Sequence, residues 1–180
     1  MRLLVAGFSL ALLCSVSCLV LDRTASASDL FDFRSDSGRF RIGFPGMAPV
    51  SRNLSAAKFT ATTNNILHKV TIGETEFAVE IHDIPRIAAM LLTEDFILES
   101  AKDGVLEDIE ALELSSGEVS RQQHPARRVR YEVPERGLEG ELLLVLVKRR
   151  LYLVSAHYLT QNKPPVTFST FLDGFEFWLD

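Results

Sequence analysis

The chain has 180 residues, 47% of them hydrophobic, with 19 basic against 24 acidic side chains and a formal net charge of −5. Such a balance lacks the basic face that displaces counterions from a phosphate backbone, which argues against nucleic-acid binding. The length suffices for one ordinary hydrophobic core without metal or disulfide staples.

Both cysteines, Cys14 and Cys18, fall within an apolar run over residues 3–21 that follows Arg2 and leads to Ala25-Ser26-Ala27. A basic start, an apolar middle and an A-x-A triplet are the parts of a secretory signal peptide. The expected layout is a signal peptide over residues 1–27 and one globular domain over 28–180. Cleavage near Ala27 would leave an extracytoplasmic domain (periplasmic, lumenal or secreted) without a thiol. The run is also long enough to remain as an anchor, and Cys18 offers a lipidation site. The residues around Cys18, Ser15-Val16-Ser17 and Leu19-Val20-Leu21, do not resemble a lipoprotein cleavage site, so cleavage at Ala27 is favoured.

Downstream, residues 31–34 and 40–44 flank the turn-rich Ser35-Asp36-Ser37-Gly38 and read as a hairpin. Pro45-Gly46 stops its second strand and Pro49 adds a break. Residues 58–63 and 66–72 are rich in β-branched side chains around Asn64-Asn65, which predicts another hairpin. Residues 76–84 alternate strictly, with Phe77, Val79 and Ile81 on one face and Glu76, Glu80 and His82 on the other. After Pro85, residues 86–102 read as helical, with a break at the capping residue Thr93 and a C-terminal cap at Gly104. Residues 105–119 fit either period, and Ser115-Ser116-Gly117 reads as a turn. A three-stranded meander follows: Val129, Tyr131 and Val133 alternate with Arg128, Arg130 and Glu132, and residues 142–147, apolar on both faces, read as a central strand. Lys148-Arg149-Arg150 is the expected turn before residues 151–158. Pro164-Pro165 then opens a short helix carrying Phe168, Phe171, Leu172 and Phe175 at helical spacing. Strands covered by helices on a mainly antiparallel sheet make an α+β chain.

Three segments together resemble the PsbP-like family. Residues 38–46, GRFRIGFPG, are similar to the hairpin that opens PsbP-type domains. Residues 123–133, QHPARRVRYEV, resemble the turn that enters a later strand, with Gln123 and Ala126 where glycines are frequent. KRRLYLVSAHY followed by FSTFLDGFEF resembles the closing portion, with Gly174 in place of a usual serine. The resemblance implies an α/β/α sandwich with a central antiparallel sheet, shared with PsbP of photosystem II, a Ran-binding import factor and small bacterial envelope lipoproteins. It further implies a noncatalytic protein that binds or helps assemble an extracytoplasmic or membrane-associated protein partner. In a photosynthetic host that reading extends to a photosystem II accessory role.

The residues themselves point to no reaction. There is no G-x-S-x-G elbow and no serine beside a histidine signature. His68, His82, His124 and His157 form no metal-binding pair, and the neighbours His82 and Asp83 point to opposite faces of a strand. No cofactor or metal is expected, and the acidic groups Glu94, Asp95, Glu99 and Glu107, Asp108, Glu110, Glu113 read as solvated faces. The candidate partner-binding residues are Arg127, Arg128 and Arg130 on one strand with Lys148, Arg149 and Arg150 at a turn of the same meander. They would meet an acidic partner or make peripheral contact with an anionic membrane; the alternative is ordinary charge on outward positions, which also blocks edge pairing. A different class of function, a small-molecule or metal carrier with a pocket between sheet and helix, stays open beside the binding reading.

Overall fold

The computed structural model describes residues 30–54, 65–162 and 167–178. The signal-peptide assignment, the strand expected over 58–63 and Pro164-Pro165 lie outside the described residues. Seven antiparallel strands form the main sheet in the order β3 (Val50–Leu54), β4 (Asn65–Ile72), β5 (Thr75–Asp83), β9 (Arg150–Leu159), β8 (Leu138–Val147), β7 (His124–Val133), β6 (Leu112–Arg121). A second sheet of three strands joins β1 (Leu30–Ser35), β2 (Phe40–Pro45) and β10 (Glu176–Phe177). The helices are α1 (Arg86–Leu91), α2 (Glu94–Asp108) and α3 (Thr167–Asp173). The result is an α+β sandwich with helices on both faces of an antiparallel sheet.

The alternation along the strands divides the core in two, because successive side chains leave a strand on opposite faces. In β5, Phe77, Val79 and Ile81 join Phe40, Ile42, Phe44, Phe171, Leu172 and Phe175 under the small sheet and α3. On the other face, Val129, Tyr131, Val133, Leu142, Leu144 and Leu146 meet Ile97, Leu98 and Leu106 of α2. Strand β8 is covered on both sides, which is why residues 142–147 carry no polar alternation. Phe40, Phe44, Phe171 and Phe175 are completely buried. Each such ring contributes about 1.5–3 kcal/mol over leaving it in water.

Several boundaries differ from the sequence reading. Thr93 caps α2 by accepting a hydrogen bond from the Phe96 backbone at 3.2 Å, as expected. The helix does not stop at Gly104; it runs to Asp108 because Leu106, Val105 and Ile109 pack onto the sheet, offsetting the roughly 1 kcal/mol that a mid-helix glycine costs. Ser115-Ser116-Gly117 is no turn but part of β6, with a bulge between Glu113 and Ser115. Strand β3, which the prolines concealed, is the antiparallel partner of β4. The turn between β8 and β9 is the residue pair Lys148-Arg149, and Arg150 already pairs with Val147.

Candidate interaction surfaces

The six cations singled out by the sequence do not form one patch. On β7 they alternate between faces. Arg127 points to the α2 side, where its guanidinium lies 2.6 Å from Asp95 Oδ1 and 3.0 Å from Glu99 Oε2. Arg128 points the other way, 2.8 Å from Glu141 and 3.0 Å from Asp173. Arg130 shares that face and meets Glu139 at 2.8 Å. Arg150 lies 3.1 Å from Asp83 and donates to the carbonyls of Ser37 and Gly38. Lys148 and Arg149 remain on the exposed turn, where the Arg149 side chain donates to the Ile84 carbonyl at 3.2 Å. Four of the six cations therefore hold the domain's own carboxylates, and the turn pair faces water.

Strand β6 is a surface the sequence did not single out. It ends the main sheet and pairs with β7 alone, so its outer edge has no strand neighbour among the described residues. Every residue from Leu112 to Ser120 is exposed, including Leu112 (56%), Leu114 (47%) and Val119 (41%). Past the bulge, Ser115–Arg121 pairs regularly with β7 and offers a row of outward N–H and C=O groups. The signal was hidden by two serines and a glycine, which read as a turn when hydrogen bonding across the sheet is unseen. At its far end Arg121 is fixed: its guanidinium donates to the Phe175 carbonyl at 2.7 Å and to the Asp173 carbonyl. Gln122 exchanges two 2.9 Å bonds with the backbone of Phe177.

A groove opens where α2 leaves the sheet uncovered. Its floor is Ala78, Leu142 and Leu153, and Glu76, Glu80 and His157 stand at its rim. Burial pushes the His157 imidazole below its ordinary 6.5, against the pull of Glu76, its cross-strand partner. Burial likewise pushes the Tyr131 phenol up to about 12, with Glu76 adding to the effect. The volume is about 130 Å³, below the roughly 300–1,000 Å³ of ordinary ligand pockets. The other histidines are separate from it. His68 is buried between Ser51 (2.7 Å) and Ser35 (3.5 Å) and its pKa is lowered by burial. His82 bonds Glu80 at 3.2 Å, and His124 lies edge-on to Phe177 at 5.2 Å. Among the described residues no group of His, Cys, Asp and Glu is arranged to hold a metal ion.

No family model and no curated protein matches the chain. Solved structures do. Cyanobacterial PsbP (CyanoP) from Synechocystis sp. PCC 6803, a solution structure, aligns with a TM-score of 0.59 over 83% of this chain and 92% of that one, at 12% identity. The fold is PsbP-like. A protein of unknown function from Pseudomonas aeruginosa, PA94, aligns with a TM-score of 0.39 at 10% identity, over 73% of this chain and 84% of that one. At 12% identity the likeness to CyanoP concerns the fold alone, and function has to be argued from the surfaces of this chain.

Proposed function

We propose that the chain is an extracytoplasmic, noncatalytic PsbP-like domain that binds, or helps assemble, a protein partner. The observation that carries this reading is the open edge of β6. A ten-residue edge strand exposed along nearly its whole length is a template for pairing, and stable monomers usually blunt such edges with charge, proline or a covering loop. The bulge protects the stretch around Leu114; Ser115–Arg121 has neither bulge nor proline, and of its two charges Arg121 is held by the carbonyls of Asp173 and Phe175, which leaves Glu118. An extended segment of the partner would add there as an eighth strand, with main-chain bonds giving affinity and Val119 giving an apolar contact. Arg127, Arg128, Arg130 and Arg150 are paired with carboxylates of the domain itself, which suits a structural role for them. The groove beneath α2 supports the small-molecule reading less well because of its size.

The test is capture of a C-terminally tagged full-length protein from its own host after brief crosslinking. Hydrogen exchange is then compared with and without the captured partner. Protection confined to 115–121, with partner loss in Ser116→Lys/Val119→Lys, is the expected result. A partner retained by that variant, or protection elsewhere, sinks the strand-addition reading. Should no partner be recovered while small ligands raise the unfolding temperature, the carrier reading takes its place, since a ligand at ~100 times its dissociation constant adds ~2.7 kcal/mol.

A further inference from the structure

Helix α1 buries none of its residues. Ile87, Met90 and Leu91 lie at i, i+3 and i+4, so they share one face, and they are 73%, 78% and 77% exposed. Leu92 and Phe96, at 40% and 55%, extend the apolar surface into the first turn of α2. A helix of six residues does not persist in water by propensity alone. This one is fastened at its base: the Ile84 backbone donates to the Arg149 carbonyl at 2.7 Å, and the Arg149 side chain donates back to Ile84. The fold therefore holds large apolar side chains out at a corner.

The same fastening sets the charge beside them. Arg149 and Lys148 occupy the turn that grips Ile84, and Arg86 opens α1. None of these three cations is in an ion pair among the described residues. Of the carboxylates nearby, Asp83 is engaged by Arg150 and Asp95 by Arg127, while Glu94 is exposed in the first turn of α2. Lys148 has a left-handed backbone, φ 57°, a conformation uncommon for a residue with a side chain.

We propose that this corner docks onto an anionic phospholipid bilayer. Ile87, Met90 and Leu91 enter the acyl boundary while Arg86, Lys148 and Arg149 meet the lipid phosphates. Lying in the plane of the interface, α1 would sink its apolar face ~5–10 Å into the boundary between headgroups and acyl chains. Cations of one sign beside an apolar tip match the order of layers in a leaflet. A protein groove would ask for a longer helix with anchors on further turns. This surface is distinct from the β6 edge, so either can fail without the other.

The test expresses the full-length gene in its host, confirms by intact mass that all variants are processed alike, and measures flotation with vesicles. One set is phosphatidylcholine and the other contains about one third phosphatidylglycerol, so that charge alone differs. The wild type is expected to float with the anionic set and much less with the neutral one. Ile87→Asp/Met90→Asp is expected to weaken binding at least tenfold, and Arg86→Glu/Lys148→Glu, which leaves the Arg149 bond to Ile84 in place, by roughly fivefold or more per cation. Unchanged unfolding temperatures in these exposed-site variants confirm that the fold is intact. Absence of wild-type binding to anionic vesicles overturns the proposal, as does binding that both variant sets retain. Loss of a captured protein from Ile87→Asp/Met90→Asp without any vesicle binding assigns the corner to a protein instead.

Discussion

Tyr131 covers Gly140, its cross-strand partner: a Cβ built at position 140 would lie 2.5 Å from the tyrosine Cζ and 2.9 Å from the Ala156 carbonyl. The glycine is thus the recess that lets the ring lie against the sheet beside the groove. The backbone carbonyl on its other side leaves the added atom nowhere to go. We predict that Gly140→Ala lowers stability by about 1–3 kcal/mol, the usual effect of overpacking. Gly117→Ala, in open space on β6, should fall within ~0.5 kcal/mol of wild type. Denaturant midpoints at constant m-value decide it; equal losses at the two sites would refute the steric account.

The division of the arginines makes a second prediction. Arg127 is 13% exposed and holds Asp95 and Glu99, whereas Arg149 lies on the exposed turn. Arg127→Ala should cost about 1–2 kcal/mol, less than the ~3–5 of a fully buried pair because Asp95 is largely solvated. Arg149→Ala should change stability by no more than ~0.5 kcal/mol. Paired urea curves would expose the reverse ranking.

Acid should weaken the α2 face. The Lys102 hydrogen bond holds the Glu99 carboxyl below its ordinary 4.5, with burial opposing and Arg127 assisting. A depressed carboxylate contributes stability that is complete above its unfolded pKa and lost as pH falls toward the folded one. We therefore expect the unfolding temperature to drop below pH 4.5 more steeply in the wild type than in Glu99→Gln. Parallel slopes would remove Glu99 from the account.

His68 gives a milder effect in a different range. Burial holds its pKa below 6.5, so on acidification the unfolded chain takes up the proton first. Stability should decline as pH falls below 6.5 and stop declining once the folded pKa is passed. An NMR titration of the ring checks this directly: a midpoint at or above 6.5 contradicts it.

How much of this was legible in the sequence depended on how far away the deciding partner lay. The two faces of β5, the central strand around residues 142–147 and Phe168, Phe171 and Leu172 of α3 all follow local periodicity and are placed as read. Phe175, read as the helix's next turn, lies beyond α3 and reaches the same core from outside it. Gly104 and Ser115-Ser116-Gly117 were misread because local signals for stopping or turning were overridden by packing onto the sheet. The arginines show the limit most clearly. Arg127 meets a carboxylate 32 residues away and Arg128 one 45 residues away, distances at which no pattern in the chain announces a pair. Helix α1 was readable within the helical stretch 86–102, but that its Ile87, Met90 and Leu91 stay outside the core is visible only in the fold.

The small sheet has a bearing on when the molecule becomes itself. Its middle strand, β2, receives its second neighbour only from Glu176–Phe177, and Arg41 reaches across 135 residues to Glu176. Synthesis makes β2 first, so a growing chain holds that strand long before Glu176–Phe177 can close over it. Until those last residues arrive, Phe40 and Tyr152 have no Phe175 against which to pack, and their exposed rings invite aggregation or proteolysis. Closure of the small sheet thus waits on a segment that lies 135 residues downstream of Arg41, and the core on that face forms only when that segment docks.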